Sequence, residues 1–299
     1  MDVQKVRLTL NHRRSAVLLV SDAGMFVLNN ASKMTLYIKA KIQRIISIFI
    51  ASMNPFFHIG RYFMLLARVF NKPQKASVYW RQIIHEINSI GISSLMIIAI
   101  ISVFMGGIIT IQAAFGFTSP LVPLYAVGFT TRESMLLEFS PTVICLILAG
   151  KVGSNIASEI GAMRITEQID ALEIMGINSA GYLIFPKIAA AVLIFPFLIA
   201  ISMFLGIWGG YAMGVASGAC SSYQYIFGIQ AFFEPWKLYY AFTKVIVFAF
   251  TITSVSSYYG YYTSGGALEV GKSSTNAVVY SSILILLFGL ILTNLFFHR

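Results

Sequence analysis

Two long stretches of this chain carry no Asp, Glu, Lys or Arg, residues 87–131 and 188–233. Between them lies a dense polar island, KVGSNIASEIGAMRITEQIDALEIMG, residues 151–176. A helix that crosses a membrane needs about 20 mostly apolar residues. The pattern therefore predicts spans at about 90–115, 125–150, 183–214, 238–260 and 277–297, with Pro120 and Pro123 punctuating the first turn between spans. Residues 45–60 are apolar but short, broken by Asn54-Pro55 and followed by Arg61 and Arg68, so 36–70 reads as a helix lying in the interface. The expected fold is an all-α integral membrane protein: an N-terminal interfacial helix, five transmembrane helices, and a polar helix between spans two and three.

Composition and charge sharpen this picture. The chain is 58% hydrophobic and 11% charged, against roughly 25% charged in soluble domains, and no charge-rich segment is long enough for a separate soluble domain. The net charge of +10 is concentrated ahead of the first long apolar run, at Lys33, Lys39, Lys41, Arg44, Arg61, Arg68, Lys72, Lys75 and Arg81. That bias fits cytoplasmic retention and contact with anionic headgroups, not nucleic-acid binding. It places 151–182 and 261–276 in the cytoplasm; a crossing at 45–60 would invert every later loop. Residues 1–33 form an extension with a weak secretory signature, and Met34 is an alternative start.

Within the island, Thr166 is expected to cap a helix whose first turn carries Glu167 and Asp170, with Gly176 as its stop. Ile165, Ile169, Leu172 and Met175 recur at helical spacing as one apolar stripe, leaving Glu167, Gln168, Asp170 and Glu173 as an acidic outer face. Gly206, Gly210, Gly214 and Gly218 give the third span a smooth face for close helix packing, and Gly106-Gly107 reads as a flexible point in the first. Glu138, in the second span near Pro141, is costly in lipid unless paired or wet. It reads either as a partner of backbone freed by the proline or as a polar contact at a lipid cavity. Lys244, in the fourth span, reads either as a phosphate partner or as a snorkelling side chain. Gln112 and Phe115 are further cavity candidates. Cys145, Cys220 and four scattered histidines form no disulfide or metal pattern.

GALEVGKS, residues 266–273, matches the spacing of a phosphate-binding P-loop. That loop needs a buried strand before it and an aspartate ending a later strand for magnesium. Here a Tyr-rich segment, YYGYYTSG, precedes Gly266, and none of the aspartates, Asp2, Asp22 and Asp170, ends a strand-like run. The expectation is a Gly-rich loop packed on the island, with no catalytic group, cofactor or metal in this chain.

The segment AGKVGSNIASEIGAMRITEQIDALEIMG, together with Tyr259-Gly260 and GGALEVGKSSTNAVV at 265–279, resembles the two signatures of the MlaE family, permease subunits of lipid-transporting ABC systems. The resemblance runs from about Ile42 to Phe297, within a permease domain at 34–299. It implies a homodimer in the inner membrane of a bacterium with an outer membrane, phospholipid as cargo, a lipid-binding envelope protein and an ABC ATPase subunit as partners. That ATPase would dock on a coupling helix between spans two and three. On this resemblance Glu159, Arg164, Glu167, Gln168 and Asp170 serve ATPase coupling. The family's usual Arg is Lys151 here, its basic residue before Glu138 is Leu137, and its Asp-Pro after the island is Asn178-Ser179, which implies a looser exit. Moving a two-chain lipid with roughly 30 methylenes through water would cost on the order of 20 kcal/mol, so a shielded cavity and an outside energy source are both required. A secondary transporter or a membrane scaffold is the alternative class.

Overall fold

The computed structural model describes residues 57–71, 76–117 and 123–297. The expectations for residues 1–33, for Met34, for 36–56 of the interfacial helix and for Pro120 lie outside them. Among the described residues the chain is helical throughout, without a strand, and residues from Tyr62 onward form one compact unit. We number the helices α1 (57–70), α2 (Ala76–Ile87 running through a π-helical turn, Asn88–Ile92, into Ser93–Gly116), α3 (Tyr125–Ile165), α4 (Gln168–Ile174), α5 (Ser179–Ala216), α6 (Ser222–Gln230), α7 (Pro235–Tyr261) and α8 (Ala267–Phe297). Five of these, α2, α3, α5, α7 and α8, are long and apolar enough to cross a membrane. The protein is an all-α integral membrane protein, as the charge-free runs predict.

Several helices are much longer than a crossing requires. At about 1.5 Å per residue, the 41 residues of α3 extend about 60 Å, twice the ~30 Å hydrocarbon core. The excess lies where the charges are: the start of α2, the end of α3 and the start of α5. An ion-paired cluster ties these three ends together. Lys187 of α5, 3% exposed, sits 2.6 Å from Glu86 of α2 and 2.8 Å from Glu159 of α3. Each carboxylate thereby neutralises a cation that could not be buried alone.

Glycines set the tightest packing. A Cβ on Gly106 would lie 1.8 Å from the Gly206 carbonyl oxygen, and one on Gly209 would lie 2.4 Å from that of Val103. The glycine face of α5 thus meets α2 of the same chain, backbone to backbone. Gly106-Gly107, expected as a flexible point, is instead buried in an unbroken helix at this contact. Gly218, at the end of the repeat, has φ +71 and no neighbour: it ends α5 and packs on nothing.

At the opposite end from the ion-paired cluster, α6 begins with a capping box at Ser221 and Gln224 and folds back on the start of α3. Buried Arg132 secures it, donating to the carbonyls of Ile229, Ala231 and Phe232. Helix α1 packs Leu65 and Val69 into the core and leaves Phe63, Met64 and Phe70 exposed. Tyr62 is 2.7 Å from the Ser254 hydroxyl of α7.

Candidate functional site

The polar island forms the end of α3, a break, and α4. Thr166 does not cap α4. It closes α3, donating its hydroxyl to the Ala162 carbonyl at 2.9 Å. The residue that precedes α4 is Glu167, in the left-handed region at φ 60. The Thr-Glu pair therefore acts as a stop followed by a turn, and α4 keeps only seven residues. That shortening also breaks the expected stripe: Ile169 is fully buried and Leu172 partly, whereas Met175 is exposed beside Ile174, which is 87% exposed. Gly176 does end the helix, at φ +76. The Gly176 and Ile177 amides bond the Glu173 and Leu172 carbonyls, which is the Schellman pattern.

The acidic face is only partly free. Arg164 pairs with Asp170 at 2.6 Å across the break. Glu173 accepts hydrogen bonds from Ser179 and Tyr261, both at 2.9 Å. Those two donors, with more distant help from Arg164 and Arg68, hold its carboxyl below the ordinary value of 4.5. Glu167 and Gln168 are exposed and unpaired by any described group. Glu159 is turned to Lys187, so it braces the helix ends as well as bordering the island. The exit from α4 is not loose. Asn178 caps α5 through the Gly181 amide and donates to the carbonyls of Arg68 and Asn71 at 2.7 and 2.6 Å. An aspartate could not make those two donations.

The second signature packs on the first. A Cβ on Gly260 would lie 2.8 Å from the Ala157 carbonyl oxygen, a Cβ on Gly161 would touch Val270, and Ser274 donates to the Ser154 carbonyl at 3.1 Å. GALEVGKS, expected as a loop, is almost wholly helix: α8 starts at Ala267. The amides of Glu269 and Val270 bond Gly266, and Lys272 pairs with Glu269. A P-loop would instead leave amides around 267–271 facing a phosphate.

Within the membrane-crossing part, Glu138 and Lys244 meet at 2.8 Å. The sequence is π-helical over Met135–Val143 around Pro141. Proline lacks the N–H that would bond the carbonyl four residues earlier, and Lys244 donates to that carbonyl, Leu137, at 3.3 Å. Lys244 is buried, stacked 5.3 Å from the Tyr240 ring, and does not snorkel. Glu138 is half exposed and also accepts from Thr142. Together with Leu286, Gly289, Leu290 and Thr293 of α8 it lines a cleft of about 550 Å³. Glu138 is the charged group that faces this cleft, and Lys244 holds it from behind, buried and outside the lining. Gln112 and Phe115 are exposed near the far end of α2 and line neither this cleft nor the second one described below.

Sequence comparison extends the geometry. Residues 83–295 match the family described as permease MlaE. The chain belongs to the MlaE permease family. A probable ABC transporter permease protein of Rickettsia bellii is 36% identical over 239 residues, 80% of this chain and 92% of its own. The intermembrane phospholipid transport system permease protein MlaE of Haemophilus influenzae is 29% identical over 79% of this chain and 90% of its own. The chloroplastic protein TRIGALACTOSYLDIACYLGLYCEROL 1 of Arabidopsis thaliana is 31% identical over 75% of this chain and 64% of its own. As a multi-pass MlaE-family permease, the chain carries both signatures at one end of the bundle and the Glu138–Lys244 cleft farther along it. Lys187 and Glu86 escape sequence reasoning. The available signal was a lone lysine at the border of a charge-free run.

Proposed function

We propose that this MlaE-family chain is the permease subunit of an ABC transporter in the inner membrane of a bacterium with an outer membrane. As a homodimer driven by a separate ATPase subunit, it moves phospholipid between that membrane and the outer envelope, where a lipid-binding protein exchanges cargo with it. The observation that carries this reading is the placement of α7. Tyr261 at one end of α7 is bonded to Glu173 of α4, and Lys244 of the same helix is bonded to Glu138 in the cleft. The 17 residue steps from one to the other span about 25 Å of continuous helix. Force applied by an ATPase to Glu167, Gln168 and the exposed Ile174-Met175 end of α4 passes through Tyr261 to Lys244. Parting Lys244 from Glu138 frees a cation for lipid phosphate, while the α8 wall receives the acyl chains. The names of the relatives support ABC coupling, and the Haemophilus relative supports a phospholipid cargo.

Charge reversal at Glu167 provides the test. In membranes co-expressing the ATPase, Glu167→Lys is expected to insert normally but to lose ATPase co-purification and ATP-dependent lipid transfer. Undiminished co-purification would remove the coupling assignment. Lipid transfer by the chain without any ATPase would favour a secondary transporter instead.

A further inference from the structure

A second cleft, of about 500 Å³, lies between α2 and α3 and has no part in the coupling route above. Both walls are π-helical turns, Asn88–Ile92 and Ala149–Gly153, irregularities that recur at functional sites. Its polar lining is Ser89, Ser93, Lys151, Ser154, Asn155 and Ser158, with no acidic side chain. The two nearby carboxylates, Glu86 and Glu159, are held by Lys187. The Lys151 ammonium donates to the Ser93 carbonyl and has two further N–H groups. Ser89, Asn155 and Ser158 form no side-chain hydrogen bond with any described residue. A concave site with one cation, several uncommitted donors and no anion selects a phosphate oxyanion.

The surroundings say which phosphate. The helix row that begins in the cleft with Ser89 and Ser93 continues along α2 as Met96, Ile100, Phe104 and Ile108, all exposed. From Ser93 to Phe104 is about 16 Å, close to the depth of one leaflet of a ~30 Å core. Gly150, next to Lys151 in the chain, is open, a Cβ there meeting nothing within 4 Å. Lys151 is the first charge after the apolar part of α3, so the cleft sits at headgroup depth. Glu138 lies 13 residues back along α3, about 20 Å away.

We infer that this cleft binds the phosphate headgroup of a phospholipid resident in the leaflet on the α4 side, its acyl chain lying along Met96–Phe104. The site is separate from the Glu138–Lys244 cleft and does not depend on the transport reading. Native mass spectrometry of the delipidated full-length chain in detergent tests it, with phosphatidylglycerol, diacylglycerol of the same chains and inorganic phosphate as probes. Phosphatidylglycerol is expected to bind with an affinity that Lys151→Met lowers about tenfold, the size of one charged hydrogen bond, and that Lys151→Arg retains. Diacylglycerol should bind weakly and equally to all variants. The Lys151 dependence should persist in Lys244→Met. If Lys151→Met does not fold, Ser158→Leu, which fills the cleft and keeps the cation, should weaken phosphatidylglycerol to the same degree. Equal phosphatidylglycerol binding with and without Lys151, displacement of the lipid by inorganic phosphate at comparable concentration, or loss of the Lys151 dependence in Lys244→Met would each overturn the proposal.

Discussion

Replacing Tyr261 by Phe removes one hydroxyl and leaves the ring in its buried site, 4% exposed, so packing is conserved while the tie to Glu173 is cut. A hydrogen bond to a charged acceptor contributes about 1.5–3 kcal/mol. Glu173 is solvent-exposed and keeps Ser179 as a donor, so screening reduces the loss to about 1 kcal/mol, or roughly a fivefold fall in the tied population. In liposomes holding the permease and its ATPase, phosphate release and transfer of a fluorescent phospholipid are measured together. The expectation is normal ATPase binding and hydrolysis with about fivefold less lipid moved per ATP. The pH dependence gives a second readout. Glu173 has a lowered carboxyl in the folded protein, so its contribution is full above the ordinary value of 4.5 and disappears as pH falls through the lowered one. In Tyr261→Phe the tie is already absent, so its residual coupling should lack the fall at low pH that wild type shows. An unchanged lipid-to-ATP ratio in Tyr261→Phe would refute transmission through α7.

Two stability experiments probe the frame that holds this route. Gly106→Ala should cost about 2 kcal/mol or more by forcing α2 away from α5, whereas Gly150→Ala, with open space around it, should leave the thermal midpoint in detergent unchanged; equal midpoints would discount the backbone contact. Lys187→Met leaves Glu86 and Glu159 facing each other unpaired and should cost about 2 kcal/mol, a loss that adding Glu86→Gln partly restores in a double-mutant cycle; strict additivity would show that the pair does not interact.

The membrane fold was legible because its signal is local. Uninterrupted apolar runs located the five spans found among the described residues, the glycine repeat on α5 announced a close contact, and Gly176 marked the end of α4. The polar features resisted because each joins residues distant in sequence. Lys244 and Glu138 are 106 positions apart, and Lys187 and Glu86 are 101, so a single charge in an apolar run gives no hint of its partner. Thr166 misled for a different reason. Threonine before an acid is a good helix start, but the same hydroxyl can back-bond to the preceding turn, and the left-handed Glu167 decides for the latter. The π turns at Asn88–Ile92 and Ala149–Gly153 left no mark in the residue pattern, whereas Pro141 marked the one at Met135–Val143. The helical protrusions were hidden too, since hydropathy reports where lipid ends and not where a helix does.

Those protrusions have a mechanical consequence. Ile165, where α3 meets the break before α4, lies about 21 Å from Lys151, and Glu138 lies about 20 Å beyond it on the other side. A π turn at Ala149–Gly153 is a natural fulcrum between these nearly equal arms. The arm on the Ile165 side carries Ala157 and Gly161, packed on Gly260 of α7 and Val270 of α8, so a push at the tip is shared with both helices instead of being spent on bending α3 alone.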